Sequence, residues 1–208
     1  MFLLLPYSDL AFLPATEERP ALGSGRLALG PDGAWAVYDP VRRRIVSDTG
    51  GVAHGAVDDL LYATDGTLVV LDETRPGLVP SGSFLAEWDG EVVAVDPFGN
   101  GHPMDGSARL LKPPHTLDVA EGVVRRDGVV VFRGEGRVAA RALGEWVLVD
   151  TLVDGRASRL ALHGDTRVSL PVAGRRYVPE DDVALAPDGG LGWLDPREDG
   201  VHLVVVAP

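Results

Sequence analysis

Apolar residues along this chain come in short runs, not in the three-and-four spacing of an amphipathic helix. No stretch of a dozen residues keeps helical periodicity without a Gly, Pro or Asp-Gly interruption. Runs rich in Val, Leu and aromatic residues recur instead at Arg26–Leu29, Trp35–Tyr38, Leu60–Ala63, Leu68–Leu71, Val92–Val95, Val129–Phe132, Trp146–Val149, Val168–Leu170 and Val201–Val206. Asp-Gly, Asp-Pro or glycine-rich segments separate them. Such residues suit a pleated, half-buried surface, so the pattern predicts an all-β protein of many short antiparallel strands. Asp-Gly between two runs predicts a tight hairpin, because both residues tolerate positive φ.

Aligned on those turns, the runs repeat. Asp32-Gly33, Asp65-Gly66, Asp89-Gly90 and Asp188-Gly189 each follow a strand-like run, and a second aspartate stands seven residues after the first, at Asp39, Asp72, Asp96 and Asp195. Pro or Glu follows each second aspartate. Asp127-Gly128 and Asp154-Gly155 begin weaker copies without it. Each copy reads as strand, turn, strand and an aspartate-led turn into a third strand, the carboxylate accepting backbone N–H groups. The turns are 33, 24, 38, 27 and 34 residues apart, so the second copy has room for only an abbreviated sheet.

Residues 24–48, with PDGAWAVYDPVRRRIV, and 180–206, with PDGGLGWLDPREDGVHLVVV, resemble the blades of NHL and YVTN-type β-propellers. The resemblance is fair over 57–96 and poor over 117–175. It implies a fold and carries no activity with it. The expected architecture is one domain over residues 1–208, a small propeller of five blades, with six as the alternative count and a β-sandwich as the alternative fold. The last copy ends one strand short. Met1–Leu5 is therefore expected to pair with it and close the ring, which removes an exposed edge.

Composition narrows the function. Lys and Arg number 19 against 31 Asp and Glu, a net charge of −12, which opposes phosphate backbones and anionic membranes as partners. There is no cysteine, which excludes disulfides, thiol nucleophiles and cysteine-held metals. Met1–Pro6 is apolar but lacks a basic start, and no later apolar run is long enough to span a bilayer. A cytoplasmic chain without membrane insertion is expected.

Little in the sequence points to chemistry. His54, His102, His115, His163 and His202 form no metal or nucleophile motif, and His102, in GNGHPMDG, reads as a solvated loop residue. No serine has the glycine spacing of a nucleophile elbow, and Lys112, the only lysine, lies in no phosphate-binding loop. Paired carboxylates precede two copies, Asp58-Asp59 and Asp181-Asp182, at the end of a strand that a propeller would place at its channel mouth. Asp59 and Asp182 are thus candidate Ca²⁺ ligands, since Ca²⁺ gathers six to eight oxygens. Solvated strand-end acids are the plainer interpretation. Arg42-Arg43-Arg44 reads as a solvated turn, and Trp35, Trp88, Trp146 and Trp193 as packing residues. The expected function is non-enzymatic: a scaffold or adaptor subunit with a protein partner and no cofactor. The alternatives are a calcium-dependent hydrolase or lyase at the channel mouth and a carbohydrate-binding module using Trp88 or Trp193.

Overall fold

The computed structural model describes residues 2–6, 26–39, 43–72, 79–80, 83–172, 183–197 and 200–208. Apart from one 3-10 turn at Pro31–Gly33, all their regular structure is β. After β1 (Phe2–Pro6) come β2 (Arg26–Leu29), β3 (Trp35–Asp39), β4 (Arg44–Ser47) and β5 (Gly50–Ala53), the first sheet. The second holds β6 (Val57–Tyr62) and β7 (Leu68–Asp72), and the third β8 (Phe84–Trp88), β9 (Glu91–Val95) and β10 (Gly101–Pro103). The fourth holds β11 (Leu117–Ala120), β12 (Val123–Arg126) and β13 (Val129–Arg133). The fifth has β14 (Arg137–Leu143), β15 (Trp146–Val153), β16 (Arg156–His163) and β17 (Thr166–Leu170). The sixth has β18 (Val183–Leu185), β19 (Leu191–Arg197) and β20 (Gly200–Val206), with β1 beside β20.

Among the described residues there are six sheets, not five, and the two-stranded second sheet falls in the 24-residue interval. The expected pairing of the N-terminal run is present: Phe2 to Pro6 lie antiparallel to Val206 to His202. Asp-Gly turns behave as anticipated at Asp89, Asp127 and Asp154, where both central residues have positive φ. At Asp65 and Asp188 only the glycine does, and the carboxylate instead accepts the N–H of Thr67 or Gly190.

Strand alternation explains why the sheets stack. In β15, Trp146 and Leu148 pack toward the sixth sheet, while Val147 and Val149 pack toward the fourth. In β2, Leu27 and Leu29 meet the sixth sheet while Ala28 meets the second. A strand buried on both faces needs an unbroken apolar run, and these are the runs seen in the sequence. Each fully buried Leu or Val contributes roughly 1.5–3 kcal/mol. Gly144 allows one of these closures: its φ is +56, and a Cβ there would meet Leu185 Cδ2 at 2.7 Å.

The two weaker copies are offset by one hairpin. Asp127-Gly128 joins β12 to β13, and Asp154-Gly155 joins β15 to β16, whereas the four strong copies join the first two strands of their sheets. The equivalent turns in the fourth and fifth sheets are Glu121-Gly122 and Gly144-Glu145. Strand direction also differs. Asp59 near the start of β6 bonds Leu85 at the start of β8, and Thr64 past its end bonds Glu87, so those two strands run parallel. By contrast, His115, just before β11, meets Glu145 just after β14, and Gly122, past the end of β11, meets Gly134 before β14. So β11 runs opposite to β14. The third and fourth sheets have three strands each, and an odd number leaves the chain at the far end. Two odd sheets in succession reverse one and restore the next.

Candidate functional site

The first strands of all six sheets line one cavity of about 860 Å³. Its wall is largely apolar, contributed by residues such as Leu27, Leu60, Phe84, Trp88, Val119 and Leu185. Five apolar clusters join the sheets in pairs: first to second, second to third, fourth to fifth, fifth to sixth and sixth to first. No such cluster joins the third to the fourth among the described residues. Phe84, Ala86 and Trp88 alternate away from Leu85, which packs on the second sheet, so they line the cavity on the opposite face. Leu117 and Val119 of β11 line it as well. Among the described residues six large apolar side chains are exposed, and five of them (Phe98, Leu110, Val119, Val129 and Val130) belong to these two sheets and the segment between them. Phe98 is 88% exposed and Val129 66%.

Polar groups secure the cavity rim between the fourth and fifth sheets. His115 places Nδ1 2.9 Å from Asp127 Oδ2 and Nε2 3.2 Å from Glu145 Oε1. Arg126 donates to the backbone carbonyl of Glu145 at 2.5 Å and to its carboxylate at 2.9 Å. Thr116 N–H donates to Asp127 at 2.8 Å. That bond, with the His115 contact, holds the Asp127 carboxyl below its usual range. The network ties the 104–116 segment and the fourth sheet to the β14–β15 turn. Nothing in the sequence pointed to it, since its members are 12 and 30 residues from His115.

Of the candidate metal ligands, Asp59 lines the cavity and Asp182 lies outside the described residues. Asp59 Oδ1 accepts the N–H of Leu60 at 2.9 Å and Oδ2 that of Leu85 at 2.7 Å, so the carboxylate links the second sheet to the third. No group of three or more His, Asp or Glu among the described residues is placed to hold a metal ion. Because both oxygens of Asp59 already accept backbone N–H groups, adding EDTA is expected to leave the melting temperature unchanged. A fall of many degrees reversed by Ca²⁺ would instead place a tight ion on the native state.

His102 is not a solvated loop residue. It lies on β10, half-buried, with Nε2 3.0 Å from Asp96 Oδ2. Asp96 also accepts the N–H groups of Phe98 and Asn100, each at 2.9 Å, which is the role expected of the second aspartates. Its relatives vary: Asp39 is fully buried opposite Arg44, and Asp72 lies 3.9 Å from His54, which ends the first sheet. Arg43 sits in an exposed turn, while Arg42 lies outside the described residues. Trp146 is fully buried and donates Nε1–H to the Gly189 carbonyl at 2.8 Å. Trp193 is only 6% exposed and cannot offer its face to a sugar. Trp88 is half-buried on the cavity wall, packed over Gly101.

Comparison with protein-family models gave no match, and comparison with curated proteins found no significant relative. No helix among the described residues is long and apolar enough to cross a membrane.

Proposed function

We propose that this chain is a non-enzymatic scaffold or adaptor, a six-bladed ring of propeller type that binds a protein partner at the seam between its third and fourth sheets. The exposed Phe98, Leu110, Val119 and Val130 of the third and fourth sheets and the segment between them carry the proposal. Exposed large apolar side chains gathered in one part of a water-facing protein mark a place where something else sits. The ring is supported by six sheets following in chain order, five apolar interfaces, a cavity shared by every first strand, and β1 added to the last sheet. A partner other than nucleic acid agrees with the net charge of −12.

The test is purification of the tagged chain from its native host beside a Phe98→Ser/Leu110→Ser/Val130→Ser variant. One stoichiometric partner with the parent, lost with a variant that melts like the parent, is the expected result. No stoichiometric partner, or one that the variant retains equally, overturns the proposal.

A carbohydrate ligand is the second reading, favoured by Phe84 and Trp88 on one wall of the cavity. Quenching of tryptophan fluorescence by a soluble sugar, abolished in Trp88→Ala, would select it.

A further inference from the structure

We propose that the cavity lined by the first strands holds a small organic cation, an ammonium group carried on an apolar or aromatic body, with its charge beside Glu87 and Asp89 and its body over Trp88.

A volume of about 860 Å³ lies within the range of roughly 300–1,000 Å³ typical of small-molecule sites, which combine apolar walls with a few polar groups. Here wall and polar groups meet on one strand. Phe84 and Trp88 of β8 line the cavity from the same face. The indole of Trp88 is seated over β10 because Gly101 has no side chain in its way: a Cβ there would meet Trp88 Cζ3 at 2.5 Å. The ring thus has a fixed place on the wall and is only partly covered by protein. Glu87 and Asp89 flank it in sequence, and both line the cavity.

Charge sets the sign of the ligand. Among the described residues five carboxylates line the cavity, Asp59, Glu87, Asp89, Asp96 and Glu145, with one arginine, Arg141, and one histidine, His115. Three of the five are already answered. Arg126 and His115 bind Glu145, His102 and the Asn100 N–H bind Asp96, and the N–H groups of Leu60 and Leu85 bind Asp59. Glu87 and Asp89 differ. Glu87 accepts only from the neutral Thr64, through its N–H and its hydroxyl, both at 2.8 Å. Asp89 has no hydrogen bond or ion pair among the described residues, and Arg141, on β14 of the fifth sheet, pairs with neither. Two carboxylates therefore stand without a cation at the end of β8, beside a half-buried indole. An ammonium placed there meets both charges, and the face of the ring attracts it as well. Asp89 is exposed, so its pull is modest and screened by salt. The same pair repels phosphate or carboxylate ligands, and a neutral sugar would leave both charges unanswered.

The probe is benzyltrimethylammonium, with benzyl alcohol as its neutral and phenylacetate as its anionic counterpart. Binding to the full chain is followed through the indole N–H resonance of Trp88, assigned with Trp88→Phe. Benzyltrimethylammonium should shift that resonance saturably at millimolar concentration. Benzyl alcohol should bind roughly tenfold more weakly and phenylacetate not at all, and the preference should shrink as salt rises. Glu87→Gln/Asp89→Asn keeps an acceptor for Thr64 and a residue that tolerates the φ of +53 at position 89, so the fold is retained. This variant should bring the ammonium down to the affinity of the alcohol. Gly101→Ala, which pushes the indole off its seat, should weaken both ligands alike. Equal affinity for the three probes, no shift of the Trp88 resonance at tens of millimolar, or an ammonium preference that survives in Glu87→Gln/Asp89→Asn would each overturn the site. A host partner captured through the seam by a chain that binds no ammonium would overturn it too, while leaving the adaptor reading intact.

Discussion

Removal of residues 1–6 is expected to lower the melting temperature by roughly 10 °C and to make the chain self-associate. The five-residue ladder between β1 and β20 contributes roughly 3–5 kcal/mol in net hydrogen bonding at about 1 kcal/mol per bond. For a domain of this size, 1 kcal/mol moves the midpoint by about 2–4 °C. The loss reaches further than the ladder because β20 is shared. Its Leu203 packs with the first sheet, and its Val204 and Val206 pack with the fifth. Once bared, Val201–Val206 becomes an apolar edge able to template pairing with another chain. Scanning calorimetry and sedimentation of the truncated chain measure both effects. In the intact chain, hydrogen exchange should protect Phe2–Leu5 as well as it protects Val204–Val206. A truncated chain that stays monomeric and melts like its parent would show that β1 closes nothing.

Replacing Asp96 with Ala should cost roughly 2–4 kcal/mol, because it strands donors that turn inward at the β9–β10 hairpin. Asp96 is 5% exposed and accepts from the N–H groups of Phe98 and Asn100, from Asn100 Nδ2 at 3.1 Å and from His102. Burial works against its charge. The bonds from His102, Asn100 and Phe98 outweigh burial and hold its pKa down to about 2, from an ordinary 3.8. The folded state therefore binds this proton less readily than the unfolded chain. The stabilisation is full above 3.8, falls as pH drops from 3.8 toward 2, and is gone below. Urea midpoints measured across that interval should decline more steeply for the parent than for Asp96→Ala. Asp96→Asn keeps one acceptor oxygen and should fall between the two at neutral pH. Equal acid slopes in parent and Asp96→Ala would mean that this carboxylate is not the group that titrates.

The repeat of strand, Asp-Gly, strand and aspartate sufficed to predict an all-β chain of small antiparallel sheets, and the apolar opening sufficed to predict β1. Both are local or edge properties: period-two burial, positive φ at a turn, and an apolar strand that cannot be left bare. The packing roles of Trp146 and Trp193 followed from the same logic. The count of sheets did not, because the 24-residue interval has room for only an abbreviated copy and spacing alone does not show whether two strands there make a sheet of their own. In the fourth and fifth sheets the turn is offset by one strand, and only the stacking of neighbours shows which hairpin lies inside. The rim network was equally hidden. His115, Asp127 and Glu145 meet only because three-stranded sheets send β11 the opposite way to β14, and no spacing in the chain encodes a strand's direction in space. So the sequence by itself determined the secondary structure, the turns and the charge. Tertiary structure alone decided which sheets touch, and thus left the third and fourth without a shared core among the described residues. Burial depends on which faces meet, and that is settled only when separate sheets are brought together.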